Sequence, residues 1–259
     1  ILTPGTVTVS TLKALQSITY NVLEYNDGTT TSAREKGEEV RDYTENYRLN
    51  KSAGSYVNSD SNPKSVSVYF YSSTTITKDR AVKATSEDLT EQTNTYKWHS
   101  ALAVGTLAHT ALGALHSKTV NYVDVATMVK GDEIADYTMN YRVNKTLTGY
   151  NPSSETSASV YFYADYDATA GTWARDKRAK ASKSDARTEQ INTFKAYSGL
   201  ETNINAAAGS AGAIAVGTLK ALQSITYNSL EYNDGTVTTP REKGDEVTDY
   251  TENYKLNKS

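Results

Sequence analysis

The chain has 259 residues, a formal net charge of −3, an apolar share of 37% and no cysteine. It is long enough to bury real cores, and its near-balanced charge gives no electrostatic reason to expect nucleic acid or an anionic membrane as partner. Without cysteine there is no disulfide framework, thiolate nucleophile or cysteine-built zinc site.

Twenty Tyr stand beside only 3 Phe and 2 Trp. Tyr and Thr suit pleated, half-wet surfaces, so the composition leans towards strands. The opening Ile1-Leu2-Thr3-Pro4-Gly5 has neither a basic nor an apolar leader and reads as a mature or excised start. No run reaches the roughly 18 apolar residues of a membrane-spanning helix.

Two kinds of half-repeat then alternate. The first, F, begins at Leu12 with a short helical turn to Gln16 and a strand over Ser17 to Tyr25. The hairpin signal Asn26-Asp27-Gly28 follows, since Asp-Gly supplies the positive φ of a tight loop. F closes on the phrase Gly37-Glu-Glu-Val40-Arg41-Asp42-Tyr43-Thr44-Glu45-Asn46-Tyr47, whose Tyr, Thr and Asn content favours a strand over a helix. The phrase returns from Gly131 and from Gly244. Between Leu12–Ser52 and Leu219–Ser259, 34 of 41 aligned positions are identical.

The second half-repeat, S, opens on Val66-Ser67-Val68-Tyr69-Phe70-Tyr71, with Val66, Val68 and Phe70 alternating at period two. It closes on Thr90-Glu91-Gln92-Thr93-Asn94-Thr95-Tyr96-Lys97. It returns as Ala158 to Tyr163 and Thr188 to Lys195. Between the halves, Val104 to Leu115 keeps helical spacing through Leu107, Ala111, Leu112 and Leu115.

The order F-S-F-S-F predicts a mainly β protein of tandem antiparallel β-sandwich-like repeats with short helical turns. Repeat 1 spans 8–103 (F 8–52, S 65–98), and repeat 2 spans 104–200 (F 104–146, S 158–198). An Ala/Gly-rich linker, 201–215, precedes an unpaired third F at 216–259. This arrangement resembles the tandem β-sandwich repeats of microbial surface and virion appendage proteins.

Few residues point to chemistry. The acidic cluster Glu38, Glu39, Asp42 recurs as Asp132, Glu133, Asp136 and as Asp245, Glu246, Asp249. Converging carboxylates suit calcium, although no EF-hand loop is present and a solvated turn that keeps a strand entrance soluble is the favoured reading. Asp42, Thr44 and Asn46 form a polar stripe, and the pairs Tyr43/Tyr47, Tyr137/Tyr141 and Tyr250/Tyr254 an aromatic one. The polar stripe suits a glycan, ice or a neighbouring strand edge, or more simply the wet face of a sheet, and the aromatic one a sugar or subunit platform, or more simply a half-buried face packed on the next layer.

The three histidines, His99, His109 and His116, are confined to one region. A repeated triad is therefore excluded, no catalytic residue or cofactor is expected, and the protein reads as a non-enzyme. The unpaired third F predicts exposed strand edges. The expectation is a structural subunit of an extracellular, cell-surface or virion filament or array, whose partners are other copies of itself. Leu219, Leu222, Ile225, Tyr227, Leu230, Tyr232, Tyr250 and Tyr254 are its expected interface. The alternative is an adhesin or fibre segment that holds glycans through the repeated Tyr and Asn.

Overall fold

The computed structural model describes residues 15–52, 55–58, 62–146, 149–207, 221–233, 235–236 and 238–256. The first F gives β1 (Ser17–Val22), the short pair β2 (Glu24–Asn26) and β3 (Thr31–Ala33), and β4 (Val40–Asn46). A small ribbon of β5 (Leu49–Ser52) and β6 (Ser55–Asn58) leads to the first S, made of β7 (Ser65–Ser72), β8 (Asp79–Arg80) and β9 (Leu89–Lys97). The second F is β10 (Leu115–Tyr122) and β11 (Ile134–Lys145), and the second S is β12 (Tyr150–Asp167), β13 (Thr172–Lys177) and β14 (Arg187–Lys195). Helix α1 (Leu200–Ala207) precedes the third F: β15 (Leu222–Ser229), the pair β16 (Glu231–Asn233) and β17 (Thr238–Pro240), and β18 (Val247–Asn253).

The fold is mainly β and antiparallel, as the sequence predicts, and strand pairing does not divide the halves into the separate sheets that tandem sandwiches would have. The halves join edge to edge in one twelve-stranded sheet, ordered β1-β4-β7-β9-β10-β11-β12-β14-β15-β18, with β8 beside β7 and β13 beside β12. Each half supplies two neighbouring long strands, so the chain adds pairs along the sheet in sequence order. Alternation along each strand is compatible with both arrangements, because it reports which face is buried and not which edge is paired.

A β-bulge falls at matching places in every half. The register shifts after Tyr20, Val120 and Tyr227 in the F pairs, and after Phe70 and Phe162 in the S pairs. A bulge turns two successive side chains out of strict alternation. Phe70 and Tyr71 are accordingly both buried, as are Phe162 and Tyr163.

Val66, Val68, Phe70, Met139, Val160, Phe162, Phe194 and Ile225 build the main core on one face of the sheet. The connections that follow each S cover it. Trp98, Leu102, Val104, Leu107 and Ala111 come from the first, and Leu200 and Ile204 from the second. Only Val104–Thr106 of the expected helix at 104–115 is helical, as one 3-10 turn. Ala114 takes φ 60 just before β10, and the segment crosses buried amides as separate turns instead of one helix. Gln92 Nε2 and Asn94 Nδ2 donate to the His109 carbonyl, at 2.8 and 2.9 Å. Conversely, the expected linker at 201–215 begins as α1, because Leu200 and Ile204 share one helical face and are fully buried. The remainder of that linker, 208–215, lies outside the described residues, as does the greater part of the helical turn expected at Leu12 to Gln16. Among the described residues no helix is long and apolar enough to cross a membrane.

Candidate functional site

The repeated phrase can be followed through three environments within one molecule. In the first two copies its strand is flanked on both sides: β4 lies between β1 and β7, and β11 between β10 and β12. In the third, β18 pairs with β15 alone among the described residues. The equivalent pairings are Tyr43 opposite Val68 and Tyr137 opposite Val160.

At each completed joint, S delivers the same set of contacts to F. Arg80 donates from Nε and Nη2 to the two carboxylate oxygens of Asp42, at 2.8 and 2.6 Å. Arg178 does the same to Asp136, at 2.9 and 2.7 Å. This is the forked geometry in which an arginine matches a carboxylate best. The Arg178 side chain is 0% exposed, and burial pushes the Asp136 carboxyl above the usual carboxylate range despite the guanidinium beside it. The third arm of each arginine reaches the covering connection: Arg80 Nη1 meets the Val104 and Leu107 carbonyls, and Arg178 Nη1 the Ile204 carbonyl.

Tyr71 and Tyr163 donate their hydroxyls to the backbone carbonyls of Arg41 and Ala135, each at 2.5 Å. Desolvation holds the Tyr71 phenol at about 12 and raises that of Tyr163 as well. Finally Val40 packs on Tyr71, Ala81 and Ala84, and Ile134 on Tyr163, Ala179 and Ala186.

The joint from S to the following F has its own repeated contacts. Asn121 and Asn228 donate side-chain amides to the Thr90 and Thr188 carbonyls. The backbone N–H groups of Thr90 and Thr188 donate to Glu133 and Glu246. The other oxygen of each glutamate accepts from the glycine two residues earlier, Gly131 or Gly244, which sits at positive φ. Glu39 makes the same glycine contact, with Gly37.

These contacts account for much of the acidic cluster. Glu39, Glu133 and Glu246 close turns, Asp42 and Asp136 hold arginines, and Glu38 and Asp132 accept from the Glu35 and Val129 N–H groups. Asp245 and Asp249 lie exposed on the third copy. Among the described residues no three carboxylates or histidines gather as a metal site would require. The clamping arginines are absent from the sequence expectation. Their signal is an Arg-Ala pair, Arg80-Ala81 and Arg178-Ala179, standing ten residues before the recurring Thr-Glu-Gln in both S halves.

The third copy of the phrase is bare. Val247 is 53% exposed and Tyr250 50%, against 3% and 2% for their counterparts Ile134 and Tyr137. Every residue of β18 is exposed, and no arginine reaches Asp249 among the described residues. Tyr250 stacks on Tyr227 at 4.7 Å, as Tyr43 does on Tyr20 at 4.5 Å. Of the expected interface residues, Tyr232, Tyr250 and Tyr254 are exposed, while Tyr227 packs partly on the core. Leu222, Ile225 and Leu230 are buried within this chain, the first two in the main core beside β14, and so they are not open to a partner. Leu219 lies outside the described residues.

A second feature lies across β9, β10, β11 and β12. A cavity of about 740 Å³ is lined by Lys64, Lys97, Arg142 and Lys145, with Tyr141, Tyr150 and His116. None of the four cations forms an ion pair among the described residues. His99 packs at a tilt against Tyr150, ring centroids 4.7 Å apart, and His109 meets Phe70 edge-on, while His116 lines the cavity.

Comparison with protein-family models, with curated proteins and with solved structures finds no match for this chain. The class is therefore defined by the fold itself: a mainly β protein in which paired strands from alternating half-repeats extend one antiparallel sheet.

Proposed function

We propose that this is a structural subunit of an extracellular, cell-surface or virion filament or array, built by strand addition at the free edges of its sheet. The observation that supports this reading is the exposed β18, an outer strand whose near-identical sequence twin β4 is enclosed between β1 and β7. Soluble proteins normally blunt a free edge with lysine, proline or a covering loop. Here Val247 and Tyr250 lie exposed along the edge, beside Asp249 and Glu252. A strand-built contact reuses the pairing that holds the monomer together, and uniform repeats suit a task that is itself repeated.

Removing the whole third F is a poor test, since it strips Leu222 and Ile225 from the core. The clean perturbation is Val247→Lys with Tyr250→Lys, which charges the edge and leaves the interior intact. Sedimentation and negative-stain imaging of the chain with an added strand segment should show end-to-end particles that this double change abolishes. Single-chain particles under every condition contradict the reading.

The basic cavity favours a second reading, an adhesin that holds an acidic glycan. Four cations without an ion pair among the described residues, beside two tyrosines and a histidine, suit carboxylate or sulfate groups on a sugar ring. A glycan array carrying sialylated and sulfated sugars tests it. Binding lost in Lys97→Glu with Arg142→Glu supports this reading, and an array without signal removes it.

A further inference from the structure

We propose that the free edge of β18 is a docking site for one kind of partner: a strand pair of the S type that carries an arginine on its connection. This rests on the strand-addition reading and names what is added. The molecule contains the finished form of the same joint twice. In both, the strand opposite the phrase is S, never another F.

Three features of β18 match what S supplies. Val247 occupies the place of Val40 and Ile134, which S covers with a tyrosine ring and two alanines. Asp249 occupies the place of Asp42 and Asp136, each gripped by an S arginine through two hydrogen bonds. Thr251 occupies the place of Thr44 and Thr138, whose hydroxyls meet Tyr69 and Tyr161 of S. An apolar socket, an acidic clamp site and a hydroxyl therefore recur on β18 in the same order, all exposed.

The fit also excludes the simplest occupant. Both S halves of a second copy are already flanked on each side, by β4 and β10 or by β11 and β15. The free edges of a second copy among the described residues are β1 and β18, both of the F type. Neither carries the arginine. At the opposite end, β1 corresponds to β10 and β15, which pair with the second strand of S.

The test adds a synthetic peptide of residues 153–187, holding the β12 strand and Arg178, to the full chain and follows amide hydrogen exchange. Exchange along β18 should slow by at least about tenfold, and an Arg178→Met peptide should lose most of that effect. Asp249→Asn in the chain should lose it too. Since the peptide alone is prone to aggregate, the same segment appended after Ser259 provides a second measurement. Unchanged β18 exchange in both formats overturns the proposal, as does slowing that is indifferent to Arg178→Met. Sedimentation of the same samples separates this proposal from the filament reading. Protected β18 with no particle beyond one chain and its segment keeps the docking and removes the filament. End-to-end particles of the unmodified chain alone, with β18 protected, do the reverse.

Discussion

Replacing Arg178 by Met tests how the joints are held. The guanidinium is wholly enclosed and Asp136 is only 7% exposed, so the substitution leaves a buried carboxylate without its partner. Breaking such a pair from one side costs about 3–5 kcal/mol. Desolvation already raises the Asp136 pKa although Arg178 is present, so the pair as a whole adds little net stability. Replacing both residues, Asp136→Leu with Arg178→Met, should therefore return to within about 1–2 kcal/mol of the parent. Asp249→Asn, the same substitution site in the uncovered copy, should change stability by less than about 0.5 kcal/mol. Urea unfolding monitored by tryptophan and tyrosine fluorescence gives the differences. Amide exchange on β11 and β12 localises them, since a sheet of repeats need not unfold in one step. A single Arg178→Met that costs under about 1 kcal/mol, or a double variant as unstable as the two single changes together, refutes this reasoning.

Other outcomes follow from the same geometry. Ile134→Ala should destabilise by about 2–4 kcal/mol, while Val247→Ala stays within about 0.5, because only the first is covered; thermal melts compare them directly. Tyr163→Phe should cost about 1–2 kcal/mol by leaving the Ala135 carbonyl buried without its donor, measured by urea midpoint at constant slope. The phenols of Tyr20 and Tyr71 are held at about 12, chiefly by burial. Their folded values exceed the unfolded one near 10, so their contribution is complete below pH 10 and is lost as pH rises towards 12. Alkaline unfolding followed at the tyrosinate absorbance should fall in that window, and free titration of all tyrosines near pH 10 with the fold retained contradicts it. Ile204→Ala should loosen the cover over the second half of the core at a cost of about 2–4 kcal/mol, seen as faster exchange in β14.

The strands were legible because their causes are local. Val66, Val68 and Phe70 alternate, and the phrase around Tyr43 is rich in Tyr, Thr and Asn, so pattern and propensity agree. Which edges meet was not legible, because F beside S and F upon S demand the same alternation. The segment 104–115 misled for a related reason: Leu107 and Ala111 have helical spacing, but the buried Gln92 and Asn94 amides capture the His109 carbonyl, which a helix would have spent on its own backbone. The site was half legible. Three copies of an Asp-Tyr-Thr phrase announced a repeated contact, whereas its arginine partners lie 38 and 42 residues further along, inside loops whose repeat is faint.

Residue-resolved amide exchange on the free chain, compared across the three copies of the phrase, tests the central claim most directly. Val40–Asn46 and Ile134–Tyr141 should be slow throughout, while the amides of Val247–Asn253 that point away from β15 exchange nearly as freely as an unpaired strand. Equal protection in all three copies would show that β18 is already covered, and the open edge on which the account depends would not exist.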